Sequence, residues 1–208
     1  MRKIFSTVCA IVCLMLCVSA CTQTVKSDNN KNMEDNKILV AYFSRTGENY
    51  SVGNISKGNT HIIADMIASE TGGDIFEITP VKAYPEAYDP CVEIARNEKE
   101  SNARPEIRND IRTEDYDIIF IGYPIWWDDM PMPVHTFIDK HDWNGKTVIP
   151  FCTHEGSGLG DTQRILRDAC KGATVLSGLA VRGNTAQNKR EEARTSVNQW
   201  LNKIKGSL

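Results

Sequence analysis

The sequence has no Cys-x-x-Cys pair, no Cys/His cluster after Cys21 and no excess of basic residues. The first two absences leave neither a zinc site nor a disulfide framework to expect. The third removes the electrostatic footprint of a phosphate-backbone binder, so nucleic acid is not an expected partner. No Gly-x-Gly-x-x-Gly opens the first helical stretch, as a dinucleotide-binding dehydrogenase would require. A Cys-x5-Arg phosphatase loop fails because Cys152 is followed, five spacers on, by Gly158. A nucleophile elbow around Ser157 fails at Glu155 and Leu159, where glycines would be needed. His61, His135, His141 and His154 show no metal-like pairing. What remains is a 208-residue chain, 41% hydrophobic and 25% charged, with no internal repeat: enough for one globular domain with a real core.

The first twenty residues differ from the rest. Arg2 and Lys3 precede an uncharged stretch from Ile4 to Ala20, followed at once by Cys21 and a polar run. A basic start, an apolar middle and a small-residue end make a secretory signal over residues 1–20. As a membrane span the stretch is at the short limit, since about 20 apolar residues are needed. Val18-Ser19-Ala20-Cys21 resembles the lipobox of bacterial lipoproteins, which implies lipidation of Cys21, an extracytoplasmic location and attachment to the membrane through an N-terminal lipid. Loss of this segment, whose only charges are Arg2 and Lys3, takes the formal net charge from −3 to −5. It also removes Cys9, Cys13 and Cys17, leaving Cys91, Cys152 and Cys170, expected as buried free thiols. Residues 21–36 are polar and aperiodic and read as a flexible tether. The domain proper is expected over 37–208.

From Lys37 onward, short apolar runs alternate with amphipathic stretches. Ile38 to Phe43 is a continuous apolar run, as a strand buried on both faces requires. Further strands are expected at Asp74–Thr79, Asp117–Gly122, Lys146–Thr153 and Thr174–Val181. Helical spacing marks the stretch around Ile62–Ala68, ended by Gly72-Gly73, then Glu86–Glu100, Pro133–Lys140, Asp161–Cys170 and Lys189–Lys205. Tyr88, Val92 and Ala95 fall on one stripe of the second helix. Five strands alternating with five helices predict an α/β three-layer sandwich with a parallel sheet.

In such a sheet, ligands bind beyond the carboxyl ends of the strands. After the first strand come Ser44-Arg45-Thr46-Gly47 and, past a polar detour, Lys57-Gly58-Asn59-Thr60 at the start of a helix. Hydroxyls, small residues and free amides there suit a phosphate, although Asn59 and Thr60 also suit plain helix capping. The third strand runs into Pro124-Ile125-Trp126-Trp127-Asp128-Asp129, and two adjacent tryptophans in a loop suit a flat aromatic ligand or pack the loop onto the domain. The fourth runs into Thr153-His154-Glu155-Gly156-Ser157-Gly158, whose glycines let backbone approach a ligand.

Together, Ser-x-Thr-Gly with Asn-Thr, Pro-Ile-Trp-Trp and Thr-His-Glu-Gly-Ser-Gly-Leu-Gly resemble the phosphate loop and the two flavin loops of the flavodoxin family. The resemblance spans Lys37 to about Lys205 and departs at Glu48–Gly58, eleven residues that separate Thr-Gly from Asn-Thr. It implies the short-chain flavodoxin-like fold with strand order 2-1-3-4-5 and one FMN. Ser44, Arg45, Thr46, Gly47, Asn59 and Thr60 would hold the phosphate. Pro124, Ile125, Trp126, Trp127, Thr153, His154, Glu155, Gly156, Ser157 and Gly158 would enclose the ring, with the Gly156 region offering a backbone hydrogen bond. The implied activity is electron transfer at the extracytoplasmic membrane surface with a redox partner protein or small-molecule acceptor, needing no protein nucleophile. An FMN-dependent NAD(P)H:quinone-type reductase and a flavin-free binding module are the alternatives.

Overall fold

The computed structural model describes residues 36–207. The signal sequence, Cys21 and all of the tether but Asn36 lie outside the described residues.

The central sheet starts with β1 (Ile38–Tyr42), whose neighbours are β4 (Asp74–Glu77) and β5 (Ile118–Pro124); β6 (Thr147–His154) follows β5, and both β7 (Thr174–Val175) and β8 (Leu179–Arg182) pair with β6. All these pairs are parallel. Side chains alternate between two cores, as a doubly covered sheet requires. Ile38, Val40 and Tyr42 of β1 join Ile118, Phe120, Ile149 and Phe151 under α1 (Asn59–Thr71) and α6 (Arg190–Ile204). Leu39, Ala41, Ile119, Ile121, Val148 and Cys152 face the other way, toward Val134 and Phe137 of α3 (Met132–Lys140) and Leu166 of α4 (Thr162–Ala169). This is the three-layer sandwich expected: with β1, β4, β5, β6 and the β7–β8 pair taken as the five strands in chain order, the order across the sheet is 2-1-3-4-5. Cys91, Cys152 and Cys170 are buried free thiols, and burial pushes both Cys152 and Cys170 up to about 12.

Three local features depart from the expected pattern, two of them for causes distant in sequence. The stretch after β1 contains an antiparallel hairpin, β2 (Gly47–Asn49) with β3 (Gly53–Ile55), whose tip carries Ser51 at φ 67. The second helix, α2 (Tyr88–Glu100), begins at Tyr88 rather than Glu86. The Arg45 guanidinium explains the delay: it donates to the carbonyls of Pro85 (2.7 Å), Glu86 (2.7 Å) and Ala87 (3.1 Å), holding them out of a helix. The fifth strand is broken at residues 176–178 opposite Pro150, which has no N–H to give the ladder and against whose ring and carbonyl Gly178 packs. Beyond it α5 (Gly183–Asn188), which has no apolar periodicity to announce it, precedes α6.

Candidate functional site

The carboxyl ends of β1, β5 and β6 open into a cleft of about 330 Å³. All three expected loops reach it: Arg45 and Asn59 from the first, Pro124 to Trp127 from the second, Thr153 to Glu155 from the third. Ser44, Thr46, Gly47, Thr60, Gly156, Ser157 and Gly158 do not line it. Two further walls lie outside those loops. The hairpin supplies Asn49 and Tyr50, and α2 supplies Tyr88, Cys91, Val92 and Ala95, with Gly183 at the start of α5 closing the floor. The sequence did signal the α2 stripe, but as a helical periodicity without a stated destination.

At the first loop, α1 has no side-chain cap on its N-cap residue, Gly58. The Ser44 hydroxyl accepts the amide of His61 (3.1 Å), and the Gly58 carbonyl accepts that of Ile62 (3.2 Å). The amides of Asn59 and Thr60 therefore have no partner among the described residues, as the first N–H groups of a helix lack intrahelical acceptors. Asn59 Oδ1 is buried and also without a partner. The two free amides, at the positive end of a thirteen-residue helix, suit an anion, whereas Asn59 Oδ1 is an acceptor and suits a donor such as a ligand hydroxyl. Gly58 is tied to this arrangement, since a Cβ there would lie 2.6 Å from the Arg45 carbonyl and closer still to Ser44 Oγ.

Two expected phosphate ligands have other tasks. Arg45 clamps the segment before α2, as described, and also donates to the Glu48 carbonyl. The Glu48 carboxylate in turn accepts the Tyr88 amide at 3.0 Å, which fixes the hairpin to the start of α2. The Thr60 hydroxyl is buried against that of Thr153 (2.8 Å), joining α1 to β6.

The tryptophan pair divides. Trp126 packs inward, edge-on to Phe43 (centroids 5.4 Å) and Tyr84 (5.1 Å). Trp127 stays 44% exposed. Its φ of 53 and the 60 of Asp128, between paired Trp126 and Asp129 backbones, form a mirror-image two-residue turn that bulky residues rarely adopt. The turn is braced from α2: the Trp127 indole donates to the Val92 carbonyl (3.2 Å), and Lys99 reaches the Trp127 carbonyl. Asp129 completes the brace by accepting the Met130 amide (2.7 Å) and meeting His135 (3.2 Å). Burial alone would raise its pKa, but the His135 hydrogen bond and charge, the Met130 amide and the charge of Lys99 outweigh that and hold it low.

The third loop is organised by His154, whose Nδ1 accepts the amides of Gly156 (2.9 Å) and Gly158 (3.0 Å). Within the Gly156 region expected to offer the ring a backbone hydrogen bond, the Gly156 and Gly158 amides are engaged inside their own loop. Burial, then the charge of Arg182, lowers the His154 pKa against the opposing pull of Glu155. The neutral imidazole with a free Nδ1 lone pair is the form this loop needs. Glu155 accepts the Asn184 amide at 2.8 Å, at the start of α5.

The model of one family, Flavodoxin, matches residues 37–204. The chain belongs to the flavodoxin family. Among solved structures, a protein of Bacteroides eggerthii assigned as a flavoprotein is 30% identical with TM-score 0.62, the match covering 81% of this chain and 98% of that one. A Lactobacillus acidophilus flavoprotein in complex with FMN is 24% identical at TM-score 0.56, covering 74% and 97%. A Fusobacterium nucleatum flavodoxin bound to flavin mononucleotide is 15% identical at TM-score 0.50, covering 83% and 99%. The last two likenesses concern the fold. No curated protein matches the chain at a significant level. In this flavodoxin-family chain the cleft lies at the strand ends beside the point where the chain's strand order reverses, between β1 and β5.

Proposed function

We propose that the cleft holds one FMN without a covalent bond, and that the domain transfers electrons through it at an extracytoplasmic membrane surface. The convergence of three loops on one cleft that Asn59 lines, with the amides of Asn59 and Thr60 free at the start of α1, carries this reading. FMN, when bound, supplies one- or two-electron redox chemistry, and the protein supplies position and electrostatics. The amides of Asn59 and Thr60 hold the phosphate. Ser44, already accepting from His61, keeps its own O–H free to donate. In the Thr60–Thr153 pair one hydroxyl donates to the other, so one O–H remains for a ligand. Ile125, Trp126 and Thr153 offer an apolar and hydroxylic wall to the ring, while His154 keeps the 153–158 backbone in place.

Lipidation at Cys21 supplies the membrane attachment in this reading. The chain enters β1 at Lys37, at the amino ends of the strands, whereas the cleft opens at their carboxyl ends. Fluorescence titration of the purified full chain with FMN tests the cofactor: quenching that saturates at one FMN per chain is expected, and free-flavin fluorescence throughout the titration contradicts it.

A further inference from the structure

His154 is the last residue of β6 and pairs in register with Arg182 of β8, so the sheet fixes its backbone while its ring serves the loop that follows. One ring nitrogen, Nδ1, receives two amides, those of Gly156 (2.9 Å) and Gly158 (3.0 Å). Both glycines stand at positive φ, 150 and 64, conformations that glycine visits freely, so the two hydrogen bonds select them from many. The other ties of the loop hold different groups. The Thr153 carbonyl accepts the Ile125 amide (2.9 Å), the Glu155 carboxylate accepts the Asn184 amide (2.8 Å), and the Cys152 thiol reaches the Gly158 carbonyl (3.4 Å).

A nitrogen that accepts must carry a lone pair. With a proton on Nδ1, the ring presents a third N–H to two amides already aimed at it, and neither hydrogen bond survives. Gly156 and Ser157 are exposed, so water takes the released amides and the loop leaves its conformation. Thr153, His154 and Glu155 line the cleft, and their wall loses the support of the backbone behind it. Arg182 disfavours a second cation beside it, as burial also does, while Glu155 pulls the other way. Arg45, Tyr88 and Cys91 stand on the opposite walls of the cleft, and the Asp128 backbone approaches the far end of the loop at Gly160.

We infer that His154 is a proton-gated latch: the neutral ring holds the third loop in the shape that walls the cleft, and protonation of Nδ1 releases it. The latch is closed at neutral pH and opens as the pH falls through the lowered pKa of the ring. Its control over flavin binding rests on the FMN reading above; the latch itself does not. Amide ¹H–¹⁵N spectra of the full chain without FMN, from about pH 7.5 down to about pH 5, test it. The Gly156 and Gly158 signals are expected to move together on the titration curve of the His154 ring. In His154→Asn, whose Oδ1 accepts throughout this range, they should stay in place. Over the same range FMN affinity should fall about tenfold more in the wild type than in His154→Asn, and His154→Leu, which has no acceptor, should bind weakly at both ends. The FMN phosphate titrates alike in every variant, so the difference isolates the imidazole. Glycine signals that do not follow the His154 ring, or a His154→Asn chain that loses affinity as steeply as the wild type, overturn the inference. If the glycines follow the ring but the chain binds no FMN, the latch stands and the flavin reading falls.

Discussion

Gly183→Val is expected to weaken FMN binding at least 100-fold, about 2.8 kcal/mol, while the chain stays folded. Gly183 is the first residue of α5 and lines the cleft floor. A Cβ built there collides with Asn59 Nδ2 and lies 2.8 Å from Glu155 Oε1. Both neighbours are side chains of the site, so the added methyls displace the two groups from the phosphate end and the ring end together. The backbone at Gly183 needs no left-handed conformation, since its φ lies outside the range that only glycine favours. The stability cost is then that of overpacking against side-chain ends that can give way, about 1–3 kcal/mol. Gly183→Ala should show a milder loss, on the order of tenfold, because only the Cβ intrudes. Calorimetric titration with FMN, paired with thermal melts, reads both quantities. Unchanged affinity in the valine variant would remove Asn59 and Glu155 from the site.

The second large effect concerns stability. Gly122 of β5 sits opposite Phe151 of β6, and a Cβ there would enter the Phe151 ring, 2.7 Å from Cε1 and nearer still to two other ring atoms. The ring is fully buried and bounded by Val40, Phe120 and neighbours of the α1-side core, so it has nowhere to move. Gly122→Ala should destabilise by about 1–3 kcal/mol, lowering the thermal midpoint by roughly 2–4 °C for each kcal/mol at this domain size. Phe151→Leu removes the obstacle but leaves space, and costs stability by itself. Together the two should cost less than the sum of their separate effects. Additive losses would mean that Gly122 is present for another reason.

How much of this was legible in the sequence depends on the element. The parallel strands were, because a strand buried on both faces must be apolar at every position: Ile38 to Phe43 and Ile118 to Tyr123 show it directly. The break in the fifth strand was not, since its cause, Pro150, stands on a neighbouring strand 26 residues before residue 176. The start of α2 was misplaced for a similar reason. Glu86 and Ala87 carry no local signal against helix, and Arg45, forty residues earlier, holds their carbonyls. Site residues divided along the same line. The three loops announced themselves by composition, and Asn59, Trp126 and Thr153 reached the cleft. Arg45 lines the cleft too, but its guanidinium and the Thr60 hydroxyl also meet protein partners distant in sequence, which no local pattern announces. Tyr88 and Val92 showed helical periodicity, and only the fold determines that their stripe faces a cleft instead of the core.

In the proposed complex one FMN occupies this cleft with its phosphate on the first turn of α1. The most direct measurement is a pair of amide ¹H–¹⁵N spectra of the full chain, without and with one equivalent of FMN. The largest shifts are expected at the Asn59 and Thr60 amides, with a second group at Ile125–Trp127 and Thr153–Glu155. Saturable binding that leaves Asn59 and Thr60 in place, or that shifts instead the groove lined by Val81, Tyr84 and Arg104 on the far side of α2, would contradict it.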